Sequence, residues 1–413
     1  MIVGLDIGTC WIRVAIADYD ENGQLKIIGT SCEKSMGLRN GNIVNIEAAS
    51  NAIRNAIENA EQNAGVEVQV CNTIVGGELI EGLNATGKVA VSTKGRSQGE
   101  ISESDLERVR ESATAVQLSL DRKMLHVITQ EYIVDNVRGI KDPLHRLGVC
   151  LESAVHIITA SKNTIQNIAS CIDRAGYHMD HVFLKTLAAT HAVANEDEME
   201  LGSIIVDLGA GTTDILVLLN GAPVCTASIP VGGNLVTNDI ALVLGIPVAE
   251  AERIKIEAGC CYMDNVDPKR TVIVNGVGGQ PPREFYQADL CDIIEPRIQE
   301  ICEMVINKII EKTTLTSMSG NIILVGGGAK MDGILECVQD SFGTQNVRIG
   351  NPEKMGGIEE DYAGPEWATV IGLVRACKDN FSRSVGKKVK NRQRYEKAGK
   401  SENKFLKLLK SLF

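Results

Sequence analysis

The chain has 413 residues, 44% hydrophobic and 23% charged, with a formal net charge of −11. That length and apolar content suffice for two or more cores, while charges or turn residues interrupt every apolar run before the roughly 18 residues a membrane span needs. The N-terminal apolar run contains Asp6 and lacks a basic start, so it does not read as a signal peptide, and twelve cysteines without a paired framework fit a reducing cytosol.

The first element, Ile2 to Ala17, reads as apolar strand, Asp-aliphatic-Gly, a turn bearing Thr9, and a second apolar strand. A strand near Leu25 to Thr30, an amphipathic helix near Ile46 to Asn63 and a strand around Val66 to Val75 follow, the alternation of an α/β sheet covered by helices. Residues 84 to about 158 change character. A strand from Lys88 to Ser92, a basic loop from Lys94 to Gly99, and a helix from Ser102 or Ser104 to about Ala115 precede strands near Leu125 to Val134 and Val149 to Thr159. Ser104-x-x-Glu107 fits a capping box. Nothing in this stretch resembles a nucleotide site, so it reads as an inserted α+β unit with surface for other proteins. Ser161 to Gly176 and Lys185 to Val193 are helical, the latter with Ala188, Ala189 and Ala192 allowing a close helix crossing at a hinge. Glu196 to Glu200 is an acidic turn at a boundary.

The stretch from Ile204 to Leu219 repeats the strand-turn-strand unit of the N-terminus. Gly209 and Gly211 let the turn's N–H groups approach an anion, and Thr212 and Thr213 add hydroxyl donors. Asp207, at the mouth of the turn, suits the water shell of a phosphate-bound magnesium ion. Taken alone, the turn fits a plain tight hairpin equally well. The second copy, half a chain away, breaks that tie and implies two related lobes offering turns to one ligand. A third element agrees: the strand Asn321 to Val325 runs into Gly326, Gly327, Gly328 and Ala329, with a helix beginning near Met331. Glycines there let a flat ring approach the backbone, but the spacing is neither a dinucleotide fingerprint nor a P-loop. Cys260-Cys261 and His178-x-x-His181 lack a complementary half at metal-ligand spacing.

The tail differs from everything before it. Residues 378–413 hold 12 Lys or Arg against 3 Asp or Glu, net +9, where residues 1–377 are net −20. Up to about Asn403 it reads as a disordered basic linker. In residues 404–413, Phe405, Leu406, Leu408, Leu409, Leu412 and Phe413 share one helical face, and Lys404, Lys407 and Lys410 take the other. Docking on the protein's own core does not need those lysines, and nucleic acid does not need the apolar face. An anionic membrane satisfies both.

The order Asp6-Ile-Gly-Thr, Asp207-Leu-Gly-Ala-Gly-Thr-Thr-Asp214 and Gly326-Gly-Gly-Ala329 resembles the actin, Hsp70 and sugar-kinase superfamily. Within it the chain is similar to the FtsA family of bacterial cell-division proteins, through Gln130 to Asp135, Gly232 to Ile240, Ala251 to Lys255 and Val277 to Arg283. The resemblance implies a two-lobed actin-like ATPase fold of class α/β. Its divisions would be 1–83 with 159–196, an inserted unit at 84–158, 197–234 with 315–377, a second-lobe top at 235–314, a linker at 378–403 and a membrane helix at 404–413.

It further implies ATP with magnesium between the lobes. Asp6 and Asp207 would lie near the metal, and Gly8, Thr9, Gly209, Gly211, Thr212 and Thr213 on phosphates. Glu252 and Lys255, by themselves an ordinary surface pair, would reach the ribose, and Gly326 to Gly328 would lie beneath adenine. Asp207 or Asp214 would orient water in any hydrolysis, though no residue identifies itself as a dedicated base. Relatives usually carry Lys where this chain has Trp11, leaving Arg13 as the nearest cation for that contact. The tail of FtsZ, the tubulin-like division protein, would dock near Arg283, Glu295 and Arg297, although Gln280 replaces a basic residue frequent there. Later division proteins and neighbouring filament subunits would use residues 84–158. The expected role is a division-site scaffold on the cytoplasmic face of the membrane. The rival readings are a metabolite kinase, which does not need the amphipathic tail, an Hsp70-like chaperone, which needs a long peptide-binding domain, and a pilus-assembly adaptor with another partner.

Overall fold

A computed structural model describes residues 1–92, 98–275, 281–313 and 320–378. The terminal helix expected at 404–413, the linker beyond 378, Gln280 and most of the basic loop after Lys94 lie outside the described residues.

Two five-stranded sheets share one strand order and sense. In the first, Leu25–Lys34, Trp11–Tyr19 and Ile2–Ile7 run antiparallel, and Ile2–Ile7 then pairs in parallel with Val70–Val75, which pairs in parallel with His178–Leu184. In the second, Ala222–Ile229, Thr213–Leu219 and Ser203–Leu208 are antiparallel, followed by parallel Asn321–Val325 and Val347–Ile349. Every residue of Ser203–Leu208 is buried, as a strand covered on both faces must be.

Helices supply the cover. Ile46–Ala64 buries Ala49, Ile53, Ala56, Ile57 and Ala60 along one stripe, starts where Asn45 accepts from the Ala48 N–H, and ends at left-handed Gly65. One core gathers Leu5, Ile12, Val14, Ile53 and Ile57; the other gathers Val206, Ile215, Ile240, Ile254 and Leu290. Small residues do bring helices into backbone contact: a Cβ on Gly372, in the helix at 368–378, would lie 1.8 Å from the Ala188 carbonyl oxygen of Lys185–Val193.

The inserted unit is a four-stranded antiparallel sheet ordered Val137–Ile140, Arg122–Val134, Cys150–Ser161, Ile80–Ala90. Helix Glu103–Thr114 lies against it so closely that a Cβ on Gly87 would meet the Ala113 nitrogen at 2.2 Å. Its capping box is made by Ser102 and Asp105, not by Ser104 and Glu107 as the sequence pattern predicts. Asp105 wins because its carboxylate bonds both the N–H and the hydroxyl of Ser102 while pairing with Arg108. The unit also grips the second sheet: Asn84 and Gln130 donate to the carbonyls of Val224 and Pro223 at 2.9 and 2.8 Å. His156 sits between Asn84 and Thr226 at 2.7 and 2.9 Å.

The helix expected from Met331 starts later. Residues Gly327–Lys330 form a single 3-10 turn, and the α-helix is Ile334–Phe342. Gly333 has φ +80 and packs on Tyr262, so the chain turns there before it coils.

Candidate functional site

The two hairpins match in register at their turns. Ile7 faces Ile12 and Asp6 faces Arg13; Leu208 faces Thr213 and Asp207 faces Asp214. Each turn is closed by its first glycine, Gly8 N–H to the Trp11 carbonyl at 3.1 Å and Gly209 N–H to the Thr212 carbonyl at 3.0 Å. A Cβ on either glycine would stand 2.7 Å from that same carbonyl oxygen, so both turns need glycine for close approach.

The two tips meet. A Cβ on Gly211 would lie 2.9 Å from Thr9 Oγ1, which accepts from the Gly41 N–H at 3.0 Å. Between the hairpins lies one cleft whose wall includes Asp6, Gly8, Thr9, Arg13, Lys185, Asp207, Gly209, Thr212, Asp214, Gly326 and Gly327. A carboxylate from each sheet therefore faces the same space.

These carboxylates are served unequally. Asp6 is buried and accepts from the Thr369 hydroxyl at 2.7 Å. Asp214 accepts from the Gly77 N–H at 2.7 Å and the Thr212 hydroxyl at 3.2 Å. Asp207 is 0% exposed, and among the described residues no well-aligned hydrogen bond reaches either of its oxygens; its charge is met by Lys185, whose Nζ stands 3.0 Å from Oδ2 as an ion pair.

Burial pushes the Asp207 carboxyl above the usual carboxylate range, and Lys185 pulls the other way. For Lys185 burial opposes the charge, but the carboxylates of Asp207, Asp214 and Asp6 outweigh it and hold the ammonium above the ordinary lysine value. A buried carboxylate with unused lone pairs, beside a second carboxylate, is a donor set that fits a hard divalent cation such as magnesium.

Other expected residues take varied positions. Arg13 lines the cleft: its guanidinium lies 5.8 Å from the Trp367 ring, and its buried Nε has no hydrogen-bond partner among the described residues. Thr213 gives its hydroxyl to the Val231 carbonyl at 2.9 Å, away from the cleft. Gly326, at φ +84, backs Asp207 so tightly that a Cβ would come 2.4 Å from Oδ1, and a Cβ on Gly328 would come 2.8 Å from Leu208 Cβ, whereas Gly327 is open.

Glu252 and Lys255 pair at 2.6 Å, and Lys255 also reaches the Thr237 hydroxyl at 2.8 Å and the Gly233 carbonyl at 3.2 Å. The Gly233 N–H donates to the Gly209 carbonyl at 3.0 Å, which sets this pair beside the second turn, near Cys10 of the cleft wall. Far from it, Arg283 donates to the Leu244 carbonyl at 2.7 Å and lies 5.3 Å from the Phe285 ring. Glu295 accepts from the Met263 N–H at 3.2 Å, and Arg297 pairs with Asp239 at 3.1 Å and with Glu300.

Sequence reasoning missed Lys185, reading it only as the start of a small-residue helix. The available signal was its place as the first residue after the parallel strand His178–Leu184, since ligand groups collect beyond the carboxyl ends of parallel strands.

Residues 204–372 match the family model of the cell division protein FtsA, and residues 77–159 match that of the SHS2 domain inserted in FtsA. The chain is 39% identical to the cell division protein FtsA of Borreliella burgdorferi over 399 residues, 95% of this chain and 96% of that one. It is 37% identical to that of Pseudomonas aeruginosa over 374 residues, 91% and 88% of the two chains. Among solved structures, a PilM-PilN type IV pilus biogenesis complex aligns with a TM-score of 0.63 at 16% identity, covering 90% of this chain and 97% of that one. MreB5 of Spiroplasma citri bound to AMPPNP aligns with a TM-score of 0.54 at 14% identity, covering 94% and 98%. A MamK double helical filament aligns with a TM-score of 0.53 at 14% identity, covering 91% and 98%. These likenesses establish the actin-like fold.

Proposed function

The chain belongs to the FtsA family of cell-division proteins, and from that premise we propose that it binds ATP with magnesium between its lobes, polymerises at the cytoplasmic face of the membrane and tethers the FtsZ ring there. The observation that carries the nucleotide part is Asp207, a buried carboxylate that among the described residues has no well-aligned hydrogen bond and only Lys185 against its charge, sharing one cleft with Asp6 and with both glycine turns.

In this reading Asp6 and Asp207 hold the metal's water shell. The N–H groups around Gly8, Thr9, Gly209 and Gly211, with the Thr212 hydroxyl and Arg13, take the phosphates. Thr213 contributes through its backbone, its hydroxyl being committed elsewhere. Gly326 to Gly328 lie beneath adenine, Gly327 offering the open surface. Glu252 and Lys255, paired beside the second turn, reach the ribose. Bound ATP supplies a polyphosphate whose charge is best neutralised when both lobes contact it, so occupancy favours the closed form. For hydrolysis Asp207 or Asp214 orients water, and slow turnover suffices for a scaffold.

The MreB5 structure holds AMPPNP and the MamK structure is a double helical filament, which supports reading this fold as one that takes a nucleotide and one that forms filaments. The lysine-flanked apolar sequence of residues 404–413 supplies the membrane contact, whose weak individual binding becomes firm when many copies are linked in a polymer. Arg283, Glu295 and Arg297 mark the surface proposed for the FtsZ tail, and residues 84–158 the one for neighbouring subunits and later division proteins. Co-sedimentation with anionic liposomes, comparing the full chain with one ending at Asn403, with and without ATP and FtsZ, tests the tether. Loss of sedimentation on truncation is expected; unchanged sedimentation contradicts it. Capture by an immobilised FtsZ C-terminal peptide separates this role from that of a pilus-assembly adaptor.

A further inference from the structure

The cleft contains a cation that the nucleotide reading does not use. Lys185 begins its helix on the first sheet's side, yet its Nζ stands 3.0 Å from Asp207 Oδ2 and 3.9 Å from Asp214 Oδ2, both on the second sheet. Its side chain is 15% exposed. The stem is confined: a Cβ on Gly76 would meet Lys185 Cδ at 3.2 Å. The head sits beside the second turn, 3.6 Å from where a Cβ on Gly209 would be. The lysine thus spans the cleft at the place where the two halves are proposed to share a ligand.

The local charge count makes it necessary. Asp6, Asp207 and Asp214 face the cleft against Lys185 and Arg13, while Glu366 is neutralised by Lys330 at 2.6 Å. A polyphosphate entering beside three carboxylates needs more positive charge than one divalent ion supplies. Asp207 is also the least satisfied carboxylate of the three: among the described residues no well-aligned donor reaches its oxygens. A divalent ion competes well for such oxygens against a single ammonium. An ammonium on a four-carbon stem, once displaced, is a mobile donor of three hydrogen bonds within reach of a phosphate.

We propose that Lys185 is a resident counter-cation that shares Asp207 with the divalent ion: it holds the carboxylate when no ion is bound, and passes to the nucleotide's phosphates when one is. This rests on the nucleotide reading above and adds to it an exchange of partners. Removing the ammonium then has opposite consequences for the two ligands. Asp207 is freed for the metal, and the phosphates lose a donor.

The test measures Mn2+ binding to the full chain without nucleotide, by electron paramagnetic resonance, and magnesium-dependent binding of a fluorescent ATP analogue. Lys185→Met is expected to bind Mn2+ about tenfold more tightly and the ATP analogue about tenfold more weakly, with Lys185→Arg returning both toward the wild type. Lys185→Gln, one atom shorter and carrying a donor without charge, carries the same expectation where Lys185→Met does not fold. Affinities that fall together, or do not move, overturn the exchange. Wild-type protein that takes up no nucleotide under any condition overturns the nucleotide reading itself, and this inference with it.

Discussion

Asp6 and Asp207 occupy matching places in two hairpins of identical register, yet one is finished and the other is left open. Opposite Asp6 stands Arg13, and the Thr369 hydroxyl donates to the carboxylate. Opposite Asp207 stands another acid, Asp214, and among the described residues only the ion pair with Lys185 answers its charge. Burying a carboxylate without donors costs several kcal/mol unless a cation offsets it. The register is the same in both copies while the facing residues differ, and the second copy carries the greater demand for a cation.

Substituting the two acids breaks that comparison most strongly. Asp207→Asn is expected to weaken magnesium-dependent ATP binding by about a hundredfold and Asp6→Asn by about tenfold, read by titration with a fluorescent analogue. Equal losses would mean that the unequal hydrogen bonding has no functional consequence.

The glycines sharpen it next. Gly326→Ala forces a Cβ toward Asp207 Oδ1 at a φ of +84; a loss of about 2–3 kcal/mol in denaturant unfolding is expected, together with weaker nucleotide binding. Gly8→Ala and Gly209→Ala meet the same carbonyl clash and should each cost about 1–3 kcal/mol. A silent Gly8→Ala beside a damaging Gly209→Ala would break the equivalence of the turns.

The second copy is also the one the inserted unit grips, through His156. Burial pushes this imidazole down to about 4. A histidine whose folded pKa lies below its unfolded value of about 6.5 costs nothing above that pH, and destabilises the fold as pH falls from about 6.5 toward 4, because the unfolded chain binds the proton first. Thermal melting between pH 7 and pH 5 should show the wild type losing stability and His156→Gln losing less. At the small end, Glu257→Ala removes an exposed partner of Arg253, which keeps Glu250. A change within about 0.5 kcal/mol is expected in the same denaturant assay.

Much of this was readable in the chain because it is written locally. Asp-aliphatic-Gly followed by a Thr-bearing turn gave both hairpins, and the run of glycines after Asn321–Val325 gave the third wall of the cleft. What could not be read depends on distant partners. Thr369 lies 363 positions from the Asp6 it serves. Lys185 gains its meaning only when the second sheet brings Asp207 and Asp214 to it. Gly333 delays a helix because Tyr262 packs there, and His156 is held by Thr226 across two units. Two polar residues each suited the cap of Glu103–Thr114, and Arg108, by pairing with Asp105, favoured the earlier one.

The claim at the centre is that the two hairpins act on one ion and one nucleotide, and a double-mutant cycle on Asp6→Asn and Asp207→Asn tests it most directly. With magnesium-ATP affinity as the readout, the double variant should bind no more weakly than Asp207→Asn alone, because both substitutions disable the same site. Losses that add in free energy would mean that the two carboxylates work independently, and would contradict the account.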